Sequence, residues 1–338
     1  MCHQESVNWF GALPFNHLHM KSANLLKFVL FLVTVLFLFQ QSTFAQHKEK
    51  RKMKNEKLMP LDTTGIEHIT GVKGKYSNGE YKITIPQNDL NIEVDGFKII
   101  PPMGLGTWIA FTPSHDGTMI MGDIILTETD LKPVQQEVIR QGLTITAIHN
   151  HFVRNHPNVI YMHIGGSGKT EELAQKTKSV LNKVAEARGH NPAATAVADV
   201  LNSIDSKKLD DILGYKGEMN KGVYKYTIGR SDVVLKEHGV TVTTFLGFNT
   251  WAAFQGSPEH AAVAGDFTML EDEVAPVIKA LIENGIEVVA VHNHMVHEQP
   301  RIFFLHYWGV GNAEQLTKGL KAALDQTGRN KDRMNMGM

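Results

Sequence analysis

The chain repeats itself once, and that duplication constrains its fold more than any other feature. Tyr81-Lys82 and Tyr224-Lys225 open two segments that align without a gap for about 100 residues, at a constant offset of 143 positions. Under this offset Gly104 meets Gly247, and Thr107-Trp108 meets Thr250-Trp251. Gly122-Asp123 meets Gly265-Asp266, and Pro133-Val134 meets Pro276-Val277. His149-Asn150-His151 meets His292-Asn293-His294, Pro157 meets Pro300, and His163 meets His306. Gly166 and Gly168 meet Gly309 and Gly311. About a third of the aligned pairs are identical, so the identical ones mark positions that resisted drift within this chain. Two long copies mean a duplicated domain, because a solenoid needs several short repeats. The 338 residues suit that reading.

Each copy has the same pattern of elements. Strands are expected at Tyr81–Ile85 (Tyr224–Ile228), at Thr107–Phe111 (Thr250–Phe254) and at Thr118–Leu126 (Ala261–Leu270). A helix follows, with Thr129 or Asp130 as its N-cap, Pro133 in its first turn and Gly142 at its end; its mate runs from about Asp272 to Asn284. Two more strands come next, Leu143–His151 (Ile286–His294) and Val159–Ile164 (Ile302–Tyr307), then a closing helix at Lys169–Ala187 (Asn312–Gln326). Strands in runs with helices at intervals predict an α+β fold. The expectation is two tandem copies of a mixed, largely antiparallel sheet with helices packed on one face, related by a pseudo-twofold like an isologous dimer. The first repeat is read as 61–187, the connector as 188–222 with a modest helix at Asp199–Leu213, the second repeat as 223–330, and the tail as 331–338.

Ahead of the repeats, residues 20–45 read as a signal peptide. Lys21 and Lys27 form the basic region, Phe28 to Phe39 is an apolar run, and Thr43-Phe44-Ala45 is a cleavage site before Gln46. Met20 is then the expected start, with 1–19 a misread upstream stretch. The apolar run is shorter than the roughly 20 residues of a membrane span, so no stable anchor is expected after cleavage, and the chain is expected in the periplasm or medium. Residues 46–60 are charged and lack apolar periodicity, as a solvated linker would. The one cysteine, Cys2, precedes the signal, which excludes disulfides, thiolate catalysis and Cys-ligated zinc from the mature chain. A formal net charge of −1 gives no general attraction for nucleic acid. No feature specifies an oligomeric state.

The histidines carry the chemistry. His149 and His151 are two apart on an expected strand, so they share a face. If the hairpin is symmetric about Pro157, His163 lies opposite His151, and His306 likewise lies opposite His294 about Pro300. His149, His151 and His163 would then face one point, as would His292, His294 and His306. Three neutral imidazoles suit Zn²⁺ and leave a fourth position open, the pattern of a catalytic site; another divalent metal would also fit. Asp123 and Asp266 are placed to act as general base or to orient a ligand histidine.

The Gly-Thr-Trp, Gly-Asp and His-Asn-His…His pattern, from about residue 60 to 330, resembles the LppY/LpqO-type family of exported bacterial proteins. The His-x-His with a third histidine twelve residues on is similar to the zinc motif of acetolactate decarboxylase-like proteins and of a related zinc ester hydrolase. That resemblance implies zinc on His149, His151 and His163, and on His292, His294 and His306. The leading expectation is an exported zinc-dependent hydrolase or lyase acting on a small carboxylic acid or ester. The alternatives are a non-enzymatic metal or ligand binder, its shell closed by a residue such as His297 or Glu298, and a glycan- or protein-recognition domain with structural histidines. Asn150 and Asn293 point to the opposite face and read as structural, and Trp108 and Trp251 as core or pocket wall. Gly165–Thr170 imitates a phosphate loop, but the position six before Lys169 is His163 rather than glycine, so it reads as a strand-to-helix turn.

Overall fold

Tyr81 and Tyr224 show how the two copies reach the same fold. The computed structural model describes residues 58–190 and 199–328; the expected signal, most of the linker and the tail at 331–338 lie outside the described residues. In the first copy, helix α1 (Thr63–Thr70) precedes β1 (Gly74–Ser77) and β2 (Glu80–Pro86). Asp62 caps α1 by accepting the Gly65 amide at 2.8 Å, and Gly71 ends it in the left-handed region. The Tyr81 hydroxyl then ties helix to sheet, donating to Glu67 and accepting the Gly74 amide. The second copy does the same with α4 (Ser206–Leu213), β10 (Glu218–Asn220) and β11 (Val223–Gly229): Asp205 caps, Gly214 terminates, and Tyr224 donates to Asp210 at 2.9 Å. Helix α4 is therefore the mate of α1 and belongs to the second copy, although the sequence placed it in the connector at 188–222.

After β2 the first copy runs through β3 (Glu93–Val94), β4 (Phe97–Lys98), β5 (Gly106–Ser114), β6 (Gly117–Thr127), α2 (Glu128–Arg140), β7 (Thr144–His149), β8 (Asn155–His156), β9 (Val159–Gly168) and α3 (Thr170–Arg188). The second has β12 (Lys236–Glu237), β13 (Val240–Thr241), β14 (Asn249–Gly256), β15 (Ala261–Met269), α5 (Val274–Glu283), β16 (Glu287–His292), β17 (Phe303–Gly311) and α6 (Ala313–Leu324). The fold is α+β, with two six-stranded antiparallel sheets ordered β1-β2-β5-β6-β9-β7 and β10-β11-β14-β15-β17-β16. Helix α2 begins two residues earlier than expected, with Thr127 as its N-cap, which leaves Pro133 inside the helix. Among the described residues no helix is long and apolar enough to cross a membrane.

Alternation along the strands sorts the side chains into two layers. In the first copy Ile83, Phe111, Ile124 and Met162 turn toward Val134 and Val138 of α2 and Leu173 and Val180 of α3. Their neighbours Ala110, Met121, Ile125 and Tyr161 take the other face, where they meet the second copy. There Ile92, Met103 and Leu105, from the segment before β5, pack with Val223, Ala253 and Ala264 of the second sheet. The matched segment of the second copy returns the contact, setting Leu235, Leu246 and Phe248 against Ala110 and Met121. The two inner faces thus close on each other in a pseudo-twofold exchange, with helices on the outer faces. Strand β15 is buried at every position because both its faces are covered.

Phe152 is 1% exposed and packs edge-on against Trp308 of the other copy at 5.5 Å. Phe152→Ala is expected to cost about 3–5 kcal/mol in urea unfolding. Ile148→Ala, at a side chain 48% exposed, is expected to cost well under that.

Candidate functional site

One row of residues crosses each inner face. In the first sheet Thr84 on β2 pairs with Trp108 on β5, Trp108 with Asp123 on β6, Asp123 with His163 on β9, and His163 with Ala147 on β7. The second sheet repeats it as Thr227, Trp251, Asp266, His306 and Ala290. Period-two alternation puts each row on one face, and the packing of the copies turns the two rows toward each other.

The expected hairpin register does not form. Strand β7 ends at His149, which pairs with Tyr161, and a bulge lies between Ile145 and Ala147. His163 therefore faces Ala147, and His151 lies beyond the strand, its ring stacked on Tyr161 with centroids 3.3 Å apart. His149 and His163 still meet as diagonal neighbours, parallel with centroids at 4.9 Å. In the second copy His294 stacks on Phe304 at 3.4 Å.

The six histidines form one cluster, where the sequence suggested a separate triad in each copy. His149 stacks on its own mate His292 at 3.9 Å, so the pseudo-twofold passes between them. Around that pair His151 meets His306 at 3.6 Å, and His163 meets His294 at 4.0 Å. The groups whose donor atoms converge within 4.8 Å mix the copies: His149, His292 and His306; and His163, His292 and His294. A third group, Asp123, His149 and His163, lies within the first copy. The reason is the sheet packing, which leaves no layer between the rows.

All six rings are buried, and most of their nitrogens lack a partner. His163 Nδ1 lies 3.1 Å from the Gly122 carbonyl and His306 Nδ1 lies 3.0 Å from that of Gly265, which fixes Nδ1 as the donor and leaves each Nε2 free to bind. Those Nε2 atoms, both nitrogens of His149, His151 and His292, and His294 Nδ1 have no hydrogen-bond partner. Orphaned buried polar atoms in such number need an explanation. His151 Nε2 is 3.6 Å from Asp123 Oδ2, and His294 Nε2 is 3.6 Å from Asp266 Oδ2. That is too long for a hydrogen bond, and His151 belongs to none of the groups whose donor atoms converge. The residues present fit a divalent metal.

Burial moves these groups toward their neutral forms, which suits an imidazole ligand but not a carboxylate one. Burial pushes the histidines down, His163 and His306 to about 3 despite the carbonyl bonds, so the rings are neutral as ligands must be. His149 is held well below its usual range by burial, then by its imidazole neighbours, His292 first. Burial raises Asp123 to about 8. It also raises Asp266 well above the usual carboxylate range, against the Leu305 amide, which donates to Oδ1 at 2.9 Å.

The cluster forms one end of a cavity of about 730 Å³ between the copies. Both aspartates, His151, His163, His294, His306 and both tryptophans line it, and His149 and His292 do not. Glycines let the tryptophans cross over. A Cβ on Gly104 would stand 2.9 Å from the Trp251 ring, and one on Gly247 would stand 3.3 Å from Trp108. Lys82 and Lys225 also line the cavity and were not singled out from sequence, although the repeat begins on them. Their identity across the copies was the signal. Asn293 is structural, as read, and donates across the copies to the Thr146 carbonyl at 2.8 Å. His297 is drawn away from the cluster toward His238, and Glu298 pairs with Arg301 at 2.8 Å.

A family model described as Domain of Unknown Function (DUF1259) matches the chain twice, over residues 64–183 and 207–326. The chain belongs to that family and carries two tandem copies of its domain. No curated protein matches it. Among solved structures, EtuB from Clostridium kluyveri is similar at 8% identity, over 79% of this chain and 94% of that one, with a TM-score of 0.20. A trimeric bacterial microcompartment shell protein, PduB, is similar at 10% identity, over 77% and 92%, also at 0.20. At that score neither likeness carries an argument.

A Cβ on Gly122 would stand 2.6 Å from the Trp108 carbonyl and 2.8 Å from Ile109 Cγ1. Gly122→Ala is expected to part β5 from β6 and cost about 1–3 kcal/mol in denaturant unfolding. Gly106→Ala, whose nearest neighbour would be Thr84 Cγ2 at 3.6 Å, is expected to be nearly neutral.

Proposed function

We propose that this chain is an exported, zinc-dependent hydrolase or lyase acting on a small carboxylic acid or ester, at one site built jointly by its two copies. The observation that carries the reading is the set of unpartnered imidazole nitrogens, converging from both copies beside an open cavity with two carboxylates on its wall. The apolar run and cleavage site at 20–45 support export. The LppY/LpqO-type resemblance and the likeness to acetolactate decarboxylase-like zinc proteins are part of the same reading.

His306 in one mixed donor group and His163 in the other would each offer Nε2 to an ion, kept in that tautomer by a glycine carbonyl. His149 and His292 lie between them and complete the donor groups. A bound divalent ion would supply Lewis-acid polarisation and a lowered water pKa. Asp123 and Asp266, on the cavity wall and 3.6 Å from His151 and His294, would move the proton at their carboxylate oxygens. Trp108 and Trp251 wall the cavity. The positions of His297 and Glu298 favour this reading over a closed binding shell, because neither reaches the donor groups.

Metal content of the purified chain, measured by plasma mass spectrometry, tests the proposal. Stoichiometric zinc is expected, and His292→Ala is expected to release any ion held by the two mixed donor groups, since His292 belongs to both. No stoichiometric metal after reconstitution would overturn the reading. In a hydrolase and decarboxylase screen, Asp123→Asn with Asp266→Asn is expected to lower turnover by about 10²–10⁴-fold, and Asp266→Asn, at the aspartate outside the donor groups, is expected to do so with bound zinc left in place. Unchanged turnover would remove the aspartates from the mechanism.

A further inference from the structure

Two cations share the histidine cavity and take no part in holding a metal. Lys82 on β2 and Lys225 on β11 occupy matched positions, one from each copy, and both line the cavity. Each is half-buried. Lys82 Nζ lies over the Trp108 ring at 4.6 Å and over Phe245 at 4.9 Å. Lys225 Nζ lies over Trp251 at 4.1 Å and donates to the Pro102 carbonyl at 3.3 Å.

Among the described residues, no carboxylate forms an ion pair with either ammonium; Glu80 acts on Lys82, and Asp266 on Lys225, only at longer range. Burial lowers both lysines to about 8, and Lys82 further disfavours the charge on Lys225. A charge taken from water without an opposite partner costs free energy, and cation–π contacts offset only part of it. Two such charges in one cavity also repel each other. The indole faces hold the ammonium groups in place, so the site is prepared for charge that arrives from outside. A volume of about 730 Å³ lies within the range of small-molecule sites.

We propose that the cavity binds a small dicarboxylate, with one carboxylate on Lys82, the other on Lys225, and the rest of the molecule over the histidines. The pseudo-twofold that relates the lysines calls for a ligand with two acidic ends. This deepens the enzyme reading by naming its substrate class and rests on that reading only for the chemistry, because the lysines need no metal to attract an anion.

Calorimetric titration of the purified full chain with succinate tests it, before and after the metal is stripped with phenanthroline. Succinate is expected to bind in both states, and acetate and dimethyl succinate at least about tenfold more weakly. Lys82→Gln and Lys225→Gln are each expected to weaken succinate by about tenfold or more, and Lys82→Arg to retain binding, with melting temperature read alongside to confirm folding. Binding unchanged in both glutamine variants, equal binding of the dimethyl ester, or no succinate binding would each overturn the proposal. Lysine-dependent succinate binding in a chain that holds no zinc would sink the metal reading and leave this one standing; zinc without succinate binding would do the reverse.

Discussion

The stack of His149 on His292 is the contact around which the molecule is arranged. It can exist only because the inner faces of the two sheets meet with no layer between them, and that packing depends on the exchange of apolar segments. Leu105 and Met103 cover the second sheet, while Phe248 and Leu246 cover the first. A single copy would leave one side of a sheet carrying Ala110, Met121, Tyr161 and a row of polar groups open to water. Duplication thus provides the cover for that face and, with it, the second half of the site.

The same packing explains the electrostatics. Six imidazoles, two carboxylates and two ammonium groups are drawn together where water is scarce, and each is moved toward its neutral form: the histidines and lysines down, the aspartates up. Such a cluster costs free energy to bury and has few internal hydrogen bonds in return. An ion among the nitrogens and an anion between the lysines would restore the charges their ordinary partners. Perturbed groups gathered in one cavity mark a functional site more often than a structural one.

Much of this was legible in the sequence because the chain carries two versions of itself. The constant offset marked Trp108, Asp123 and His163 with their mates, but the strand face read for His149 and His151 fails at His151, which lies beyond the end of β7. The α+β class and the antiparallel sheets followed from the order of strands and helices. The register of the β7–β9 pair did not follow, since a bulge at Ile145–Ala147 and the early end of β7 at His149 leave no trace in composition. Nor did the merging of two triads into one cluster, which is a property of how faces pack and not of residue spacing within a copy. Lys82 and Lys225 were visible as an identical pair, but an isolated lysine on a strand ordinarily points to solvent. Only the cavity shows that these do not.

In the proposed function the two copies build one metal site between them. Anomalous diffraction at the zinc edge, from crystals of the zinc-loaded chain, tests it most directly. The account predicts a peak at the His149–His292 stack, bounded by imidazole nitrogens of both copies. Peaks bounded by the histidines of one copy alone, or no peak near the cluster, would contradict it.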